Sequence, residues 1–336
     1  GVVTQTRAHH TIDTESDASS DDLDRLNNSS ADAGTICWLR QEASGRAVTV
    51  KHQGGSGDGQ FNLTNSEDFT LGANGVLTVI RVSTSWYEIA RSSAATAAPR
   101  SYLAGLGLTV GTDASHDIDI AAGIARNSDN TDTLSLSSTL VKQIDAAWAV
   151  GSAAGGLDTG TVGNDSWYHV HLIKRSNTGV VDALFSLSVA SPTMPTDYDK
   201  RRRIGSVLTD GSANIIAFTQ EGDEFLWNSP PLDIDTTQGT STASHTLSTP
   251  LGVKTRAWLN VHTTASSQAI YFRSLDQDDE QASKTVAPLL SIQDTGEENT
   301  LYIRTDTSSQ IGGRAATSSA IKIVTLGWLD QRGRDD

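Results

Sequence analysis

The stretches WYHVHLIKR (167–175) and VVDALFSLSV (180–189) decide the fold class. In the second, Val181, Ala183, Phe185, Leu187 and Val189 fall on one side of an extended chain, while Asp182, Ser186 and Ser188 fall on the other. That period of two predicts a half-buried antiparallel strand. In the first, Trp167, His169 and His171 share a side, opposite Tyr168, Val170 and Leu172. Short apolar runs of this kind, separated by Gly, Asn and Ser, recur along most of the chain and predict an all-β protein.

Working outward, residues 101–229 read as a central β-sandwich module, and residues 230–336 as a C-terminal β-sandwich opened by Pro230-Pro231. The last strand there, from Ile321 to Leu329, is apolar on both faces and should be central in its sheet or covered by a neighbour. Leu140, Ile144 and Trp148 recur every four residues and predict one short helix, with Ser138 or Thr139 as its N-cap. Upstream, SSAATAAPR marks a linker at 92–100, and residues 33–91 alternate strand phrases with Gly and Asn turns as a β-rich segment. The run Gly54–Gly59 lacks the frame of a phosphate loop and predicts a flexible hairpin tip. Residues 1–32 are polar and acidic, and predict an extended N-terminal arm that orders against other copies or other proteins. The fold class expected is therefore all-β: tandem antiparallel β-sandwich domains with short turns, at most one short helix, and the arm in front.

Bulk composition narrows the function. Twenty-five basic residues against 40 acidic ones give a net charge of −15, which repels a phosphate backbone and argues against nucleic acid. No apolar run reaches the length of a membrane helix, so no membrane insertion is expected. The single cysteine, Cys37, excludes an intramolecular disulfide, fitting a protein folded in bacterial cytoplasm. The chain lacks a G-x-S-x-G elbow, an H-E-x-x-H helix and a P-loop, so no enzyme, cofactor or metal is expected. Asp117 with Asp119, and Asp276 with Asp278 and Glu280, place carboxylates on common sides, as a calcium site or a glycosidase pair would, but Gln281 and Ala287 stand where a calcium loop needs Gly and Glu, so solvated turns and surface ion pairs are the favoured reading.

Two groups stand out as receptor-binding candidates. Trp167, His169 and His171 combine an aromatic face with polar neighbours, as sugar-stacking sites do, although plain packing is the more common use of such a tryptophan. Lys200, Arg201, Arg202 and Arg203 form the one dense basic run in an acidic chain and could grip phosphate or an acidic sugar, although such a run more often pairs with nearby acids, here or on a neighbouring subunit. Trp148, Trp227, Trp258 and Trp328 sit among apolar neighbours and are assigned to the core.

Several phrases in order, among them DIDIAAG, KQIDAAWAVG, GGLDTG, WYHVHLI, YDKRRRIGS and LGWLD, resemble a module of tail fibres and host-specificity proteins of tailed bacteriophages. The resemblance implies a virion appendage, made in the host cytoplasm, that binds a host surface glycan or protein during adsorption. It further implies a homotrimer, joined to other tail or baseplate proteins through its N-terminal arm. The alternatives are a structural head fibre, baseplate or spacer protein, and a polysaccharide depolymerase. The depolymerase is set aside here because the chain shows no regular β-helix period.

Overall fold

The computed structural model describes all residues except 15–17, 28–30, 42–46, 72–74, 93–97, 264–267, 284–290, 293–297 and 335–336. The chain is all-β. Its contacts divide it into two units, Gly1–Ala98 and Pro99–Asp336. The division falls inside the 92–100 stretch, most of which lies outside the described residues. No second division occurs near residue 230.

In the first unit the N-terminal segment is not an extended arm. Strands Val2–Thr4, His9–Ile12 and Ser20–Leu23 each lie parallel to a later strand, with Val2 opposite Arg25, His9 opposite Trp38 and Ser20 opposite Ala47. Phe61 and Trp86 repeat the relation. The chain thus coils and stacks on itself. Alternating side chains explain why: in Ile36–Gln41, Cys37 and Leu39 turn inward while Ile36 and Trp38 stay exposed. Leu23, Leu26, Leu39, Val50, Phe61 and Trp86 close one core, and the Trp86 indole donates to the Leu26 carbonyl at 2.7 Å. Burial pushes the Cys37 thiol up to about 11, so it is a packing group and not a nucleophile. The glycine run is not a free hairpin tip either: Gly59 lies at φ +89°, and a Cβ there would meet the Leu26 carbonyl oxygen at 2.4 Å. Only glycine permits that approach.

The second unit holds a seven-stranded sheet in the order Leu108–Val110, Asp117–Ile120, Leu140–Ala147, Ala154–Leu157, Val181–Ser186, Trp167–Lys174, Lys200–Leu208. Parallel returns occur here too, with Lys142 opposite Ala154 and Leu157 opposite Phe185. Counted within the units, residues 2–185 make about six β-solenoid turns. This corrects the expectation of purely antiparallel pairing and of no β-helix. The turns leave no regular period because the paired positions lie at unequal spacings, and alternation of two is the same in parallel and antiparallel strands.

The helix expected at 140–148 is the strand Leu140–Ala147, with Leu140, Lys142 and Ile144 inward. Lys142 hid the alternation. Its ammonium is fully buried and lies 3.2 Å from Asp182, while also donating to the carbonyls of Ala149 at 2.7 Å and Gly151 at 3.2 Å. Burial lowers the Lys142 pKa and the Asp182 charge opposes that shift. Asp182 accepts in turn from the Gly151 amide at 2.7 Å. The strand Val181–Ser186 is consequently buried on both faces and not half-buried.

Strand Ser319–Leu329 runs centrally in a second sheet, between Arg256–Thr263 on one side and Glu224–Trp227 and Leu232–Gln238 on the other. Leu259, Val261, Ile270, Phe272, Ile311 and Ile323 pack between this sheet and a four-stranded one. Trp328 reaches back into the central core, stacked on Phe225 at 5.1 Å and edge-on to Trp167 at 5.5 Å. That shared aromatic core is why residues 99–336 form one unit.

Candidate functional site

The strand Trp167–Lys174 pairs along both edges with Val181–Ser186 and Lys200–Leu208, and every side chain from Trp167 to Ile173, on either face, is buried. Trp167 packs on Trp227 and Trp328. The His169 Nδ1 meets the Ser206 hydroxyl at 2.9 Å, and His171 Nε2 donates to the Ser188 carbonyl at 3.0 Å. Burial depresses the two imidazoles to about 3 and about 4, so both are neutral at pH 7. Along the basic run, Lys200 and Arg201 are half-buried, while Arg202 and Arg203 are interior. Arg202 Nε donates to the Arg332 carbonyl at 3.2 Å. The Arg203 guanidinium forks onto Asp330, with Nη1 to Oδ2 at 2.8 Å. Burial alone would raise the Asp330 carboxyl, but the charge and hydrogen bonds of Arg203 outweigh it and hold the carboxyl below its ordinary value. Arg332 completes the network, donating from Nε to the Ile204 carbonyl at 2.8 Å.

Trp167, His169, Arg202 and Arg203 are therefore interior packing and pairing groups, the structural one of the two readings, and not exposed receptor contacts. A side chain in the interior cannot stack on a bound sugar. His171, Arg201 and Arg203 do line a small cavity of about 200 Å³. Asp117 and Asp119 flank Gly111, each with one buried oxygen that accepts no hydrogen bond. Among the described residues no group of three His, Cys, Asp or Glu is arranged to hold a metal ion. Asp276 is an ion-pair partner of Lys254 and Arg304, while Asp278 and Glu280 are exposed.

The exposed chemistry lies elsewhere, on the strands Arg256–Thr263 and Glu298–Arg304. Antiparallel pairing sets Arg256 opposite Arg304, Trp258 opposite Tyr302 and Asn260 opposite Thr300. Ala257, Leu259 and Val261 take the inward positions and fix the register, so the others must face out. The Trp258 and Tyr302 rings stack at 5.4 Å with 20° between their planes, and Tyr302 stays half exposed. Two arginines directly opposite one another repel. Asp276 relieves this by pairing with Arg304 at 2.7 Å, and Lys254 joins it at 2.8 Å. Arg256 is exposed and has no hydrogen bond or ion pair among the described residues. Beside this face a cleft of about 570 Å³ is lined by Arg256, Tyr271, Arg273, Gln277, Tyr302 and Arg304. Arg273 is held in place by donating to the Gln277 carbonyl at 2.6 Å.

Guanidinium groups beside stacked aromatic rings can bind a ligand that carries both anionic groups and ring faces. Sequence reading missed this site and assigned Trp258 to the core. The signal was present in TRAWLNVHTT, where Arg256, Trp258 and Asn260 alternate with Ala257, Leu259 and Val261. An outward row of cation, indole and amide differs from the charged or small residues that usually cover a solvated face. Comparison of the chain with protein-family models, curated proteins and solved structures finds no match.

Proposed function

We propose that the protein is a non-enzymatic virion appendage of a tailed bacteriophage, a tail fibre that binds a host surface glycan through the Arg256–Tyr302–Arg304 cleft. The ordered phrases from DIDIAAG to LGWLD support the appendage reading. The observation that carries the binding reading is the exposed ladder of paired arginines and stacked aromatics on a chain of net charge −15. The two facing sheets of the C-terminal half support its description as a distal sandwich-like binding domain. In a homotrimer, as the resemblance implies, three copies of one weak cleft would multiply into useful avidity.

The coiled strands remove the ground on which a depolymerase was set aside, so hydrolysis is tested alongside binding. Purified protein is mixed with host cells and free phage is counted. The expected result is dose-dependent slowing of adsorption by the native protein and much weaker slowing by the R256Q/R304Q variant. No effect at saturating dose shifts the reading to a structural spacer. Release of reducing sugar from host polysaccharide shifts it to an enzyme.

A further inference from the structure

The cleft has neighbours. Arg304 also lines a second cavity of about 340 Å³, together with Lys254 and Arg203. Arg203 and Val189 in turn line the third cavity, of about 200 Å³, together with Arg100, His171 and Arg201. Successive cavities thus share walls. Their lining carries seven cationic side chains and one acid, Asp129, in a chain where acids outnumber bases by 40 to 25. Asp276 pairs with Lys254 and Arg304, Asp279 with Arg273 and Asp330 with Arg203. Arg256 is unpaired at one end, and at the other Arg201 makes one hydrogen bond, from Nε to the Ala190 carbonyl at 2.9 Å, which leaves its terminal nitrogens unused.

The far end adds a second requirement. The His171 ring is 1% exposed and lines the third cavity. Its Nε2 faces a carbonyl and must carry the proton, so Nδ1 is a bare acceptor, and it is buried without a partner. A buried acceptor left unmade is costly, and a donor from a ligand satisfies it. A simple anion offers no such donor. A hydroxyl does.

We propose that the three cavities form one groove for an acidic polysaccharide, its anionic groups on Arg256, Arg304 and Arg201 and a hydroxyl of one sugar donating to His171 Nδ1. The proposal shares its cleft with the appendage reading but stands without it. The charge on the sugar can come from a carboxylate or from a phosphate, and the test separates the two. Purified protein is run through native gels containing polygalacturonate, phosphomannan or neutral dextran, with single-stranded DNA as a competitor. The expected result is retardation by at least one acidic glycan, none by dextran, and weakening of roughly tenfold for R201Q and for R256Q. Whichever acidic polymer retards the protein identifies the charged group. Both substitutions are at side chains outside the core, and circular dichroism melting verifies that each variant is folded. A further variant, H171F, removes the acceptor, and its affinity should fall while its retardation stays salt-sensitive. Failure of both acidic glycans to retard the protein overturns the proposal. Retardation unchanged in the R201Q/R256Q double variant, or abolished by equimolar DNA, also overturns it. Gel retardation without any block of adsorption would keep the groove and discard the receptor-binding reading; the reverse would do the opposite.

Discussion

The chain has two arginine-rich strand pairs, and they are used in opposite ways. At 202 and 203 the side chains are interior, where Arg203 forks onto Asp330 and Arg202 holds the carbonyl of Arg332. At 256 and 304 they point outward, one of them unpaired, beside stacked rings. A dense basic run in sequence is thus a poor guide to a basic surface. A place at the sheet edge does not separate the two, since Lys200–Leu208 and Glu298–Arg304 both end their sheets. What separates them is the cover over the side chains. The C-terminal segment with Asp330 and Arg332 packs on Arg202 and Arg203, so their charges need internal partners. Arg256 and Arg304 stand exposed on the outer face of their sheet.

The largest expected effect breaks the inner region by acid. His169 and His171 stay neutral when folded, with values near 3 and 4 against 6.5 for the unfolded chain. Between those limits the unfolded state binds more protons, so stability falls as pH drops from 6.5 toward 4. Each histidine should cost on the order of 3–5 kcal/mol over its full window. Asp330 adds to this lower down: its carboxyl is depressed, so its contribution is present above the ordinary carboxylate value and is lost as pH falls through the folded one. Urea midpoints measured from pH 7.5 to 4 check this, and a flat profile would show that the two imidazoles are hydrated.

Next in size is R203M, which strands the buried Asp330 carboxylate. It should lose about 3–5 kcal/mol, whereas the double variant R203M/D330L should recover much of that loss. Equal destabilisation by the two variants would mean that the wider network, and not the charge pair, holds the C-terminal strand in place.

The smallest expected effect is at the outer region. R256Q should change stability by no more than about 0.5 kcal/mol, since its side chain has no partner to lose. Thermal melting reads this directly. A large loss at Arg256 would erase the contrast between the two regions and make the outer arginines structural as well.

Alternation in ICWLRQ and TRAWLNVHTT, and the apolar final strand, made an all-β chain legible from sequence, because a period of two needs only neighbouring residues. The same pattern was unreadable at Leu140–Ala147, where Lys142 occupies an inward position and its partner Asp182 lies far along the chain. The parallel stacking of Val2–Thr4, His9–Ile12 and Ser20–Leu23 on later strands was equally hidden, since a strand does not encode the direction of its neighbour. The candidate site followed the same division. Residue types that can bind an acidic sugar were visible, but His171, Arg201 and Arg203 were read as a surface when only a narrow cavity reaches them.

By itself the sequence determined strand content, the net acidity and the supply of inward apolar residues, all of which are local or additive properties. Tertiary structure alone decided which arginines are buried, which rings stack and which cavities share walls. Those outcomes depend on pairing between distant strands, where burial makes an unpartnered charge too costly and so selects the one register that supplies each its partner.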